Sequence, residues 1–175
     1  MRITTIAVLA ALLLAGCTSD KDKGLCPSAA VLASTSVLTV FRSGAPADPS
    51  DELYTVWMRN VDTDCDFDKK SKMADSSLRI MFGAKRAPNS EPASYKIPYF
   101  VAVTQGGDRI MTKKMFVVQF SFAPGASSAS FEDTLPSTVI KLGRENKVGS
   151  YMILTGLQLT QAQLDYNKKT GRFAP

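Results

Sequence analysis

Asp62, Asp64, Asp66 and Asp68 recur at every second residue and are the densest concentration of metal-ligating groups in the chain. In extended backbone this period places all four carboxylates on one face, a row of hard oxygens of the kind calcium takes. The row also reads as a solvated strand end, because aspartate tolerates turns and repels unwanted edge pairing. Glu132 with Asp133, and Asp51 with Glu52, are the other carboxylate pairs. Glycoside hydrolysis needs two carboxyls roughly 5–10 Å apart across a sugar groove, and adjacent residues on a strand point opposite ways. The chain has no histidine, which removes Ser-His-Asp and Cys-His nucleophilic sites and nearly all catalytic zinc arrangements. No Ser-x-x-Lys motif falls in a helix-forming stretch. Gly106-Gly107 is followed by Asp108, which would repel a phosphate. The residues therefore assign no catalytic group, no resident metal and no cofactor.

The aspartate spacing begins like an EF-hand loop but departs from it. Phe67 stands where that loop needs glycine, and Met73 where it needs the bidentate glutamate. Trp57, Tyr54, Tyr95, Tyr99 and Tyr151 offer a sugar- or peptide-binding platform, yet aromatic residues at strand spacing read first as core.

The elements that would position these groups are strands, since β-branched and aromatic residues alternate in short runs between Gly, Pro, Ser and Asp clusters. Expected strands run over Val31–Arg42, Leu53–Val61, Leu78–Phe82 continuing towards Ala87, Lys96–Thr104, Arg109–Phe122, Ser127–Leu135 and Ser150–Gln158. The strongest period-two signal puts Phe116, Val118, Phe120 and Phe122 on one core face. Gly106-Gly107 supplies the positive φ angles of a tight hairpin. Pro136 is expected to stop the Ser127–Leu135 segment, whose small and polar residues suit an edge, with Val139–Leu142 as an extension left open. Thr160-Gln161-Ala162-Gln163 has the capping-box pattern and opens a short helix to about Lys169, ended by Gly171 and anchored by Leu164. Seven or so strands and one helix predict an all-β, antiparallel β-sandwich, with a small barrel as the alternative. In strand count this resembles immunoglobulin or fibronectin type III domains, although Cys26 and Cys65 do not occupy the positions of the inter-sheet bridge of antibody domains.

Arg2 followed by the apolar run Ile3–Leu14 is too short for a finished membrane span and reads as a signal peptide. Its end, Leu14-Ala15-Gly16-Cys17, resembles the lipobox of bacterial lipoproteins. The resemblance implies cleavage before Cys17 and diacylation of its thiol. Two or three acyl chains would then hold the protein on a membrane almost permanently. Residues 1–16 are thus expected to be a lipoprotein signal peptide, 17–27 a lipidated tether and 28–175 a single β-sandwich domain. Asp20 lies one place too late for the inner-membrane retention pattern of enterobacterial lipoproteins, which points to the periplasmic face of the outer membrane. The chain as a whole also resembles small lipoproteins of the Gram-negative envelope, a likeness that implies no activity.

Removing the signal leaves about 160 residues, enough for one hydrophobic core. The formal net charge of +5 falls to about +4 with the loss of Arg2. Its scattered basic residues imply no nucleic-acid partner. With Cys17 lipidated, Cys26 and Cys65 remain as an even pair that an oxidising compartment would join in a disulfide, the other possibility being two free thiols. The expected function is a membrane-anchored, non-catalytic module that binds another envelope protein. A carboxylate-dependent cell-wall or glycan hydrolase and a carrier of a small ligand or lipid are the alternatives.

Overall fold

The computed structural model describes residues 26–44, 47–68, 70–88, 91–141 and 148–173. The expected signal peptide, Cys17 and most of the tether lie outside these residues. Eight strands follow in chain order: β1 (Ser28–Val31), β2 (Val37–Phe41), β3 (Glu52–Asp68), β4 (Met73–Lys85), β5 (Ala93–Gln105), β6 (Arg109–Phe122), β7 (Ser128–Lys141) and β8 (Tyr151–Leu157). Among the described residues one α-helix, α1 (Gln161–Thr170), follows them. The strands form two four-stranded sheets, ordered β1-β8-β5-β6 and β2-β3-β4-β7. The sheets face each other across one core of buried apolar residues.

The Val31–Arg42 stretch is two strands rather than one. A short 3-10 turn, Ala33–Thr35, interrupts it, and the chain passes there from one sheet to the other. β1 lies parallel to β8, whereas β2 runs antiparallel to β3. The expected all-antiparallel order is corrected at that one pair. The one signal of the break is the polar run Ser34-Thr35-Ser36, which is short enough to read as a polar stretch of strand.

Period-two patterning elsewhere places the core well. Tyr54, Val56 and Met58 of β3, Ile80 and Phe82 of β4, and Val118, Phe120 and Phe122 of β6 are all buried. Phe116 is only half-buried and stacks on Tyr99 at 5.4 Å. β3 and β4 run longer than the apolar signal, since their ends carry the Asp62–Asp68 row and its partners, paired through to Asp68↔Met73. β7 continues through Pro136 to Lys141. It is an edge strand, and its register slips between Leu135 and Thr138. A proline missing its N–H is tolerated at such a bulge on an edge.

Gly106 and Gly107 have φ values of 68° and 96° between β5 and β6, as a tight hairpin requires. The capping box at the start of α1 is complete: the Gln163 amide donates to the Thr160 hydroxyl and the Thr160 amide donates to the Gln163 side chain. Gly171, at φ 61°, ends the helix. Its anchors, however, are Tyr166 and Asn167 rather than Leu164. Tyr166 meets Phe41 edge-on at 5.0 Å, and the Asn167 side-chain amide donates to the Val37 carbonyl at 2.7 Å. The helix is mostly polar, so its position depends on these two contacts with β2.

Cys26 and Cys65 form a disulfide with Cα atoms 6.0 Å apart. Cys65 lies within β3 and Cys26 just before β1, so the bond ties one sheet to the other. The expected pairing is present, and it differs from the inter-sheet bridge of antibody domains in that Cys26 lies outside any strand. Closing a loop with a sequence separation of 39 stabilises by about 3–4 kcal/mol on the chain-entropy model.

Two glycines seat aromatic rings flat on the sheets. A Cβ at Gly83 would lie 2.5 Å from the Trp57 ring, and one at Gly156 would meet Thr35 and come within 2.9 Å of Phe100. Phe100 is buried, which leaves it little room to yield. Gly156→Ala is therefore expected to destabilise by about 1–3 kcal/mol, read as a lowered urea midpoint. An unchanged midpoint would show that the Phe100 ring moves freely.

Candidate functional site

The carboxylates singled out by type are mostly engaged in holding the fold. Glu52 forms an ion pair with Arg172 and accepts from the hydroxyls of Thr55, at 3.3 Å, and Tyr166, at 3.4 Å. Asp51 faces Arg42 at 3.7 Å. Asp133 points between the sheets, where the Tyr99 hydroxyl donates to it at 2.7 Å, while Glu132 is exposed beside it. Each candidate hydrolase pair is thus split by the alternation of a strand or committed to a structural partner.

Asp62, Asp64, Asp66 and Asp68 do line one exposed face of β3. Strand geometry separates successive members by about 6–7 Å along the strand. Asp62 accepts from the Asn60 amide at 2.8 Å, and Asp68 accepts from the Lys70 backbone and the Ser71 hydroxyl, both at 2.8 Å. These bonds hold the Asp68 carboxyl below its ordinary range, the Ser71 hydroxyl contributing most. Among the described residues no three acidic or cysteine side chains gather around a common point.

Of the five aromatic candidates, Tyr54, Tyr99 and Tyr151 are buried and Tyr95 is half-buried among Tyr54, Phe120 and Phe122. Trp57 alone faces outward, on the far side of its sheet from the core.

What the carboxylate and aromatic patterns missed is the shape of the sandwich along β6 and β7. Near the loop joining them, Phe131 lies between Phe82 and Phe120, almost parallel to both at 5.1 and 4.5 Å. Further along, the two strands part. A hollow of about 570 Å³ opens there, lined by Val101 and Val103 of β5, Thr112, Lys114 and Phe116 of β6, and the Leu135–Val139 segment of β7. Both strands are sheet edges, with a hydrogen-bonded neighbour on one side only among the described residues. Large apolar side chains stand in water around this end: Ile110, Met115, Val117 and Val139 are each at least half-exposed. The small and polar residues of Ser127–Leu135 and the proline after them predicted that β7 is an edge. They could not show that β6 is the matching edge, because that follows from which sheet each strand joins.

No protein-family model, curated protein or solved structure matches this chain. Among the described residues no helix is long and apolar enough to cross a membrane.

Tyr99, whose hydroxyl donates to Asp133, stacks on Phe116, a residue that lines the hollow. Burial raises the Tyr99 hydroxyl far above the ordinary phenol range, and the Asp133 carboxylate adds to the shift. A raised folded value means that this contribution to stability is complete below the unfolded tyrosine value of about 10 and is lost as pH climbs beyond it. Tyr54 and Tyr166 are also raised by burial, so the protein is expected to lose thermal stability above about pH 10. In Tyr99→Phe that alkaline decline should be shallower, and at neutral pH the variant should be less stable by about 1 kcal/mol. An identical alkaline slope would remove Tyr99 from the explanation.

Proposed function

We propose that this protein is a non-catalytic binding module that accepts an extended segment of another envelope protein along the open β6/β7 edge. The observation that carries the proposal is the conjunction of two unpaired strand edges with a hollow between them. An added strand would satisfy the free backbone groups of one edge, while its alternate side chains entered the space lined by Val101, Val103 and Phe116. The edges carry lysines (Lys113, Lys114) and a proline at a register slip (Pro136), which limit indiscriminate pairing, so the added segment must be one that matches the hollow. The same reading takes the body as an immunoglobulin-like or fibronectin III-like sandwich. The two four-stranded layers support that in part, and the parallel β1–β8 pair is its distinguishing detail.

The proposal places the module at the periplasmic face of a bacterial outer membrane, held by lipid on Cys17. Its supports are the Leu14–Cys17 pattern in the sequence and the Cys26–Cys65 disulfide, which belongs in an oxidising compartment. Loss of the anchor is directly measurable. Cys17→Ser should abolish incorporation of radiolabelled palmitate and move the protein from the membrane to the soluble fraction; unchanged labelling and fractionation would overturn the lipid assignment.

A carrier of a small apolar ligand is the second reading, favoured by the size of the hollow, which falls within the range of ligand pockets. Thr112 is exposed and lines the opening, so Thr112→Trp should fill it without disturbing the core. In affinity capture from solubilised membranes, proteins recovered by the parent chain should be lost with this variant. Equal recovery by both would contradict strand addition, and native mass spectrometry showing a retained small molecule would favour the carrier.

A further inference from the structure

A second concavity lies on the opposite side of the molecule from the core, on the outer face of the β2-β3-β4-β7 sheet. It is an open groove of about 680 Å³ lined by Val37, Thr55, Trp57, Arg59, Lys85, Arg172 and Phe173. Strand register explains the assembly. Trp57 is flanked by Val37 and Gly83, and Thr55 by Thr39 and Lys85, so an indole and a lysine belong to neighbouring rows of one face. Gly83 gives the indole its flat seat, since any Cβ there would collide with it. The third wall comes from the segment after α1. Arg172 is fixed by its ion pair with Glu52 and by donating to the Thr39 hydroxyl at 3.2 Å, and this holds half-exposed Phe173 at the rim.

Three cations from three elements therefore surround one aromatic plate. Arg172 is neutralised by Glu52. Arg59 stands over the Trp57 ring at 5.6 Å, and neither it nor Lys85 has an ion-pair partner among the described residues. The charged groups of the groove are all donors, and its remaining surface is aromatic and aliphatic apart from Thr55, whose hydroxyl donates to Glu52. A complementary ligand must bring acceptors, net negative charge and one flat apolar face.

We propose that this groove binds an acidic saccharide, its ring packed against the exposed margin of Trp57 with its phosphate or carboxylate between Arg59 and Lys85. The openness of the groove favours a sugar over a nucleobase. A sugar can set its C–H groups against the margin of an indole and keep its hydroxyls in water, whereas a base would leave both π faces wet. The site is separate from the β6/β7 edge, so it stands or falls independently of strand addition.

Trp57 is the one tryptophan of the chain, so its fluorescence reports on this groove alone. Titration of the full-length chain with glucose 6-phosphate and with digalacturonate should give a saturable change with at least one of them. Maltose and inorganic phosphate should give none at the same concentrations, because each lacks half of the recognition. Lys85→Ala and Arg59→Ala should each weaken the acidic-sugar response at least tenfold, while Lys96→Ala, exposed on β5 of the other sheet, should not. Absence of saturation with both acidic sugars, an equal response to maltose or phosphate, a stronger response to adenosine monophosphate, or indifference to Lys85→Ala would each overturn the proposal.

Discussion

The packing of Phe131 between Phe82 and Phe120 is the contact on which the shape of this molecule depends. Phe131 belongs to the edge of one sheet and Phe120 to the edge of the other, so this one stack joins the two layers where no backbone hydrogen bond does. Tyr54, Tyr95 and Phe122 close around Phe120, and offset aromatic pairs of this kind are worth about 0.5–1.5 kcal/mol each beyond their area. The sandwich is tight where these rings meet. It gapes where β6 changes to Thr112 and Lys114, which are too polar to fill the space between the sheets. The hollow is thus a consequence of composition along one strand, with Phe116 as the boundary.

The opposite margin is held differently. There the chain crosses between sheets at the Ala33–Thr35 turn, and the Cys26–Cys65 bond ties the segment before β1 to β3. A covalent bond at one margin and an aromatic stack at the other leave the β6/β7 opening as the compliant part of the fold. On the outer faces, Trp57 over Gly83 and Phe100 over Gly156 repeat one device, a ring covering a bare stretch of neighbouring backbone. Phe100 is buried by that arrangement, with Lys113 above it at 4.4 Å. Trp57 keeps a free margin, and the acidic-saccharide proposal follows from that difference.

Much of the architecture was legible from alternation, because a half-buried strand records its inward face directly in the order of its residues. The Phe116–Phe122 stripe, the diglycine hairpin and the Thr160 capping box all express local rules, and all were found in place. Three features were not legible, each for a physical reason. The break between β1 and β2 falls at the polar run Ser34-Thr35-Ser36, too short to tell a turn from a polar stretch of strand. Pro136 signalled an end, but on an edge strand it costs no ladder hydrogen bond. Leu164 looked like the helix anchor by hydrophobicity, whereas the helix is held by the ring of Tyr166 and the amide of Asn167. The candidate sites were less legible than the fold. The aspartate row was visible as a row, but the hollow and the cationic groove gather residues from strands distant in sequence, and only pairing order brings those together.

Amide hydrogen exchange measured residue by residue along β6 and β7 tests most directly whether the sandwich is clamped at its aromatic end and open at the other. The account predicts that edge amides in Thr112–Phe116 and Leu135–Val139 exchange orders of magnitude faster than those in Val118–Phe122 and Ala129–Asp133. Uniform protection along both strands would contradict it.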